Sequence, residues 1–372
     1  MKYFILWLLA LLLVAGEAEA KKHILYVGTY TKGLSDGIFV YSFNDQTGRL
    51  HDLKTPVASI SPSFLTVSPN RKYLYAANES DNMGPNESGA VSAFKIDGSE
   101  LTLINQVLTY GANPCHVCVS PDGKKLVASN YSGGSLSYFN VNADGSLSDM
   151  VQSIKHSGSG PFKGRQEEPH VHSAQFDALG KTLFVADLGI DQLKMYSVVK
   201  GETPLVAAPL PYLQLPAGSG PRHFDFSSDG RYIYVINELS STVVVFMKYG
   251  GDWKTIQTIS TLPKDFKGES WCADIHISAD GKFVYGSNRG HNSITVFKRD
   301  VNSGKLELVE TVSVEGNWPR NFVIDPSGRF LLCANQKSED ITVFKIDPVS
   351  GKLIFTGFKI SNQSPVCLKF LK

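Results

Sequence analysis

Three stretches of the chain share one pattern of apolar and polar positions. In the first, 221–226 (PRHFDF) passes through Ser-Ser-Asp-Gly into 231–237 (RYIYVIN) and then 241–246 (STVVVF). In the second, 319–324 (PRNFVI) passes through Asp-Pro-Ser-Gly into 329–335 (RFLLCAN) and then 340–344 (DITVF). In the third, 113–118 (NPCHVC) leads into 124–130 (KKLVASN) and then 135–139 (SLSYF). Each unit predicts a short strand of period-2 alternation, a tight polar turn, and a second strand rich in β-branched and aromatic residues. A third strand then ends in an aromatic residue. A fourth, less regular strand follows turns such as Asp144-Gly145 and Ser303-Gly304, where glycine accepts positive φ at low cost.

The first strand of the unit starts at Pro62, Pro114, Val171, Pro221, Cys272, Pro319 and Pro365, at intervals of 46 to 57 residues. The second strand also recurs seven times, ending near Tyr30, Asn78, Asn130, Asp187, Asn237, Asn288 and Asn335. This period predicts an all-β, seven-bladed β-propeller; the repeats of a parallel β-helix are much shorter. The two series are out of phase at the chain ends. Residues 23–30 form a second strand with no first strand before it, and 364–370 form a first strand with nothing after it. The last strand is therefore expected to close the ring by pairing with the N-terminal blade, which removes the exposed sheet edges. No segment sustains helical periodicity, so helices should be rare.

Residues 1–20 are set apart from this repeat. Lys2 precedes an unbroken apolar run over 4–14, and Ala18-Glu19-Ala20 offers a small-x-small cleavage site, as in an export signal. The run is shorter than the roughly 20 residues of a spanning helix. The domain is thus expected over 21–372, exported to the periplasm or medium, with no membrane attachment after cleavage. Lys2, Glu17 and Glu19 fall in the leader, which leaves 35 of 36 basic and 33 of 35 acidic side chains. That balance supplies no electrostatic case for nucleic acid or an anionic membrane. Five cysteines, Cys115, Cys118, Cys272, Cys333 and Cys367, are too few and odd in number for a disulfide framework and read as buried free thiols. Asn78, Asn86, Asn130 and Asn362 head N-x-S sequons, which matter only in a glycosylating host.

Aligning the units exposes positions where the repeat breaks. Just after the Pro-like position stand Ser63, Cys115, His172, Arg222, Ala273, Arg320 and Val366. Just after the second strand stand Glu79, Tyr131, Leu188, Glu238, Arg289 and Gln336. Core positions repeat because every blade packs alike; polar departures mark one mouth of the channel as a site. His172, Arg222, Glu238 and Arg289 are the strongest candidates, with Arg165, His170, Arg320, His223 and His291 around them. Guanidinium groups suit planar carboxylate or phosphate, and an imidazole beside a carboxylate suits proton transfer. A small anionic substrate is the expected partner. His170 and His172 could share a strand face and bind a metal, yet no further ligands follow at zinc-like spacing, so no metal or cofactor is expected. His116 and His276 read as structural. Gly158-Ser159-Gly160 and Gly218-Ser219-Gly220 do not lead into helices, so they are neither phosphate loops nor a nucleophile elbow; close backbone approach near the mouth is expected of them.

The motifs 26–31 (YVGTYT), 130–134 (NYSGG), 165–172 (RQEEPHVH), 218–223 (GSGPRH), 237–241 (NELSS) and 287–292 (SNRGHN) together resemble the seven-bladed β-propeller lactonase family. It includes the propeller type of 6-phosphogluconolactonase and the carboxy-cis,cis-muconate cyclases. The resemblance spans essentially the whole chain after the leader. It implies a metal-independent site of one His, two Arg and one Glu at the channel mouth, which here correspond to His172 (or His170), Arg222, Arg289 and Glu238. The leading expectation is hydrolysis of a sugar-acid lactone, phosphorylated or not. Arg222 and Arg289 would hold the anion, while Glu238 or His172 activates water and the other donates a proton. The alternatives are a lactone-forming cycloisomerase on a carboxymuconate-like acid and a non-enzymatic binding propeller, because fold alone does not decide function.

Overall fold

The computed structural model of the protein describes residues 21–31, 37–53, 56–85 and 87–371. The expected leader, 1–20, and the sequon at Asn86 lie outside them. The described strands form seven four-stranded antiparallel sheets. Blades 2 to 7 take their strands in chain order, from 62–108, 114–155, 171–214, 221–260, 271–313 and 319–361. Blade 1 joins both ends of the chain: Pro365–Phe370 pairs antiparallel with Lys22–Thr29, which pairs in turn with Phe39–Asn44. The ring closure expected from the two out-of-phase series is therefore present. Among the described residues the helical content is one 3₁₀ turn, Leu188–Ile190.

The apolar alternation is satisfied between blades. Seven hydrophobic clusters fill the seven interfaces, one per neighbouring pair. Phe43, Leu50 and Leu368 of blade 1, for example, meet Leu332 and Ile341 of blade 7, and Tyr26 and Val40 meet Leu65 and Leu74 of blade 2. The five thiols are free and buried. The turns behave as their composition requires: Gly123 and Gly230 sit at φ +71° and +66°, a region that penalises a Cβ. Asn78, Asn130 and Asn362 are at most 3% exposed, so in the folded state none of these three sequons is open to a glycan.

Two repeated features aim residues at the channel. First, the asparagine ending the second strand ties that strand to the third. Asn288 Nδ2 donates to Ser293 Oγ and Thr295 Oγ1 at 3.1 and 3.0 Å, and Asn130 makes the equivalent pair with Ser135 and Ser137. The following residue is thereby held at the mouth. Second, the innermost strand of every blade breaks register at the same place. Pro221 pairs with Asn237 and His223 with Ile236, which leaves Arg222 out of the ladder. His172, Arg320, Cys115 and Ser63 are skipped in the same way. Blades 1 and 6 shift register at the corresponding point. A β-bulge re-aims its extra side chain, and here it turns one residue per blade toward the channel.

Candidate active site

Three of the bulged residues, Cys115, His172 and Arg320, and four of those after the second strands, Glu79, Tyr131, Glu238 and Arg289, line one cavity at the mouth, of about 270 Å³; Arg222 reaches it from behind, through Glu238. Its walls hold His172, Arg289, Arg320, Glu238, Arg165 and Glu79, with Cys115, Tyr131, Trp271 and Trp318. Glu238 is its electrostatic centre. Arg165 Nη2 lies 2.5 Å from Glu238 Oε1, while Arg222 Nε and Arg289 Nη2 lie 3.0 and 2.7 Å from Oε2. Blades 5 and 6 and the loop before blade 4 thus converge on one carboxylate that is 4% exposed.

Each member is held by its backbone setting. The Glu238 N–H donates to Gly220 O at 2.7 Å. Gly220 sits at φ +63°, and a Cβ there would stand 2.4 Å from Leu239 Cγ. The amides of Gly218 and Gly220 both donate to Asp191 at 2.7 Å, so this Gly-Ser-Gly turn is a close backbone approach, as expected. Arg165 lies in a loop anchored by the next residue, buried Gln166, whose Nε2 donates to Leu188 O and Asp191 Oδ1 at 2.7 Å. Arg289 donates to Cys272 O at 2.9 Å and Trp271 O at 3.3 Å. Arg222 donates from Nη1 to Ala273 O.

Burial and charge set the protonation states. Burial alone would raise the Glu238 carboxyl, but Arg289, Arg222 and Arg165 outweigh it and hold that group far below the usual range. Burial, and then Arg222, His223, Arg320 and Arg289, push His172 well below an ordinary imidazole, so it is neutral near pH 7. Burial beside Arg289 and Arg320 lowers Arg222 to about 10, against the pull of Glu238. Burial raises the Cys115 thiol, which keeps it protonated and unfit as a nucleophile. Four guanidiniums against the carboxylates of Glu79 and Glu238 leave the cavity with excess positive charge, which suits an anion or a developing oxyanion.

The structure brings together His172, Arg222, Glu238, Arg289, Arg165 and Arg320. The others stand behind or outside. His170 stacks on Tyr131 with ring centroids 4.5 Å apart and has Nδ1 3.2 Å from Tyr131 O, so it backs a wall residue. His223 lies in a second chamber further along the channel. His291 contacts Ser293 Oγ at 2.7 Å and the ring of Phe266. His116 and His276 line the second chamber as well. Among the described residues no three His, Cys, Asp or Glu side chains are placed to hold one metal ion.

Two indoles were not singled out from the sequence. Arg165 lies over the Trp271 ring at 5.4 Å and Arg289 over the Trp318 ring at 5.6 Å, where the ring faces attract the cations. Trp318 holds a φ of +69°, a left-handed turn that recurs just before the inner strand at Ser61, Asn113, Gly220 and Ser364, so the repeat itself sets the backbone that presents this indole. Both indoles immediately precede a first-strand start, at Cys272 and Pro319, and that shared position was the available signal. Tyr30 was also passed over. Its hydroxyl donates to Glu79 at 2.8 Å and accepts from Arg320 Nη2 at 2.6 Å, which links blades 1, 2 and 7.

A family description, lactonase with a 7-bladed β-propeller, matches residues 24–370. The chain belongs to this lactonase family. The 6-phosphogluconolactonase of Bacillus subtilis is 38% identical over 354 residues, covering 94% of this chain and 99% of the relative. That of Formosa agariphila is 40% identical over 305 residues, covering 80% and 85%. Among solved structures, the periplasmic gluconolactonase of Pseudomonas aeruginosa superposes with a TM-score of 0.90 at 38% identity, covering 94% and 99%.

Proposed function

We propose that this chain hydrolyses the lactone of a sugar acid at the channel mouth. The observation that carries the reading is the placement of the His172 imidazole in the same cavity as the carboxylate of Glu238 and the guanidiniums gathered on it. His172 takes a proton from water as the water oxygen attacks the lactone carbonyl carbon. The carbonyl oxygen becomes an oxyanion and is stabilised by the guanidinium field. The tetrahedral intermediate collapses with cleavage of the ring C–O bond. The departing alkoxide recovers the proton from His172, leaving a free hydroxyl and a carboxylic acid, which ionises. Glu238 serves chiefly to hold three arginines together, because both of its carboxylate oxygens are engaged by guanidiniums. The relatives named as 6-phosphogluconolactonase and gluconolactonase support this substrate class.

Purified protein is expected to accelerate opening of glucono-1,5-lactone, its 6-phosphate, or both. With folded protein, a rate no higher than the spontaneous one for either compound would end the proposal. The excess positive charge favours the phosphorylated compound as the better bound of the two.

We also propose that residues 1–20 are removed on export, on the strength of the apolar run and the Ala-Glu-Ala site. Among the described residues no helix is long and apolar enough to cross a membrane. N-terminal sequencing of protein from the exported fraction should read from Lys21; a sequence starting at Met1 would refute cleavage.

A further inference from the structure

Further along the same inner strands lies a second chamber of about 300 Å³, lined in part by His116, His223, Asp274, His276 and Asn321. Asp274, 2% exposed, is its hub. Its Oδ1 accepts from His223 Nδ1 at 2.7 Å and from the Ile275 N–H at 3.0 Å. Its Oδ2 accepts from Asn321 Nδ2 at 2.5 Å, His276 Nε2 at 3.1 Å and the Phe322 N–H at 3.3 Å. Blades 5, 6 and 7 therefore meet on this carboxylate. With the Nδ1 proton committed to Asp274, the lone pair of His223 Nε2 faces Arg222 Nη1 at 3.5 Å. Which nitrogen carries the proton follows from this network.

We infer that Asp274 and His223 form a positioning dyad for Arg222, acting on the candidate active site from the other chamber. Arg222 is 2% exposed and stands among like charges. The one carboxylate that it touches, Glu238, is shared with Arg165 and Arg289. Arg222 Nη1 donates to Ala273 O, and that same nitrogen also meets His223 Nε2 at 3.5 Å, so the imidazole sits where it can fix the direction of this arm of the guanidinium. His223 supplies a neutral acceptor, which, unlike a second carboxylate, does not compete with an anionic substrate for the guanidinium, and Asp274 fixes the tautomer that exposes this acceptor. The same carboxylate adds unscreened negative charge that favours the charged form of Arg222. The adjacent residues Arg222 and His223 thus have separate tasks: one pairs with Glu238 in the wall of the site, and the other sets its geometry without touching substrate.

The kinetic arm of the test rests on the lactonase reading; the structural arm does not. His223→Phe removes the acceptor and keeps the ring volume. Asp274→Asn removes the charge that sets the tautomer. His223→Gln places an amide oxygen where Nε2 stood. The first two variants are expected to lower kcat on glucono-1,5-lactone 6-phosphate roughly 100-fold, the cost of about an ångström of misplacement, with a smaller change in KM. His223→Gln is expected to recover most of that loss. Crystal structures should show the Arg222 guanidinium displaced from Glu238 in the Phe and Asn variants and restored in the Gln variant. Arg222 undisturbed in the Phe variant, or a Gln variant as impaired as Phe, would overturn the inference. If the wild-type protein opens no lactone at all, the functional reading fails, and the crystal comparison still decides whether the dyad positions Arg222.

Discussion

Replacing Glu238 by glutamine is expected to cost about 3–5 kcal/mol of folding stability, the usual result of removing one partner from a buried ion pair. The substitution keeps the shape and deletes the charge. Arg222 and Arg289 are then left buried at 2% and 5% exposure with mutual repulsion and no carboxylate between them. Arg165, whose side chain is 30% exposed, can turn to solvent and is the least affected. Urea denaturation measures the loss. Sulfate or phosphate should raise the melting temperature of the variant more than that of the wild type, because an anion in the cavity replaces the missing charge. Turnover should fall as well, by roughly 100-fold or more, since the guanidiniums no longer share one fixed geometry. A variant as stable as wild type would show that the three arginines do not depend on this carboxylate.

His172→Asn is expected to remove roughly 10²- to 10⁴-fold of the rate, the range of a lost general base, while substrate affinity changes little. The pH profile identifies the group. Burial and the surrounding cations depress His172 in the free protein, so kcat/KM should stay level through an ordinary imidazole range near pH 6.5 and bend only in stronger acid. A bound anionic substrate offsets the guanidinium charge and raises the imidazole pKa. The acid limb of kcat should therefore lie at a higher pH than that of kcat/KM. The same shift makes His172 a better base once the substrate is in place. A His172→Asn variant with kcat within a few-fold of wild type would move the base elsewhere.

Several parts of this site were legible in the chain before any coordinates. Arg222, Glu238 and Arg289 stand where repeat symmetry is broken, and the structure gathers them around one carboxylate. Arg165 was legible only as part of a motif, because it comes from a loop outside the repeat; its contact with Glu238 depends on the anchoring of Gln166. His170 and His172 look equivalent as a His-Val-His pair, yet one stacks behind Tyr131 and the other lines the cavity. His223 was grouped with the mouth because it follows Arg222. A regular strand would also place neighbours on opposite faces, but the bulge decides which of the two turns to Glu238 and which lines the second chamber.

The sequence by itself determined the number of blades, their order and the closure of the ring. Those features follow from a core that every blade must bury in the same way, so they are written as a period. Only the tertiary structure decided which polar side chains share a cavity. That outcome depends on a register break against the neighbouring strand and on distances between blades 50 or more residues apart, and no local alternation encodes either one.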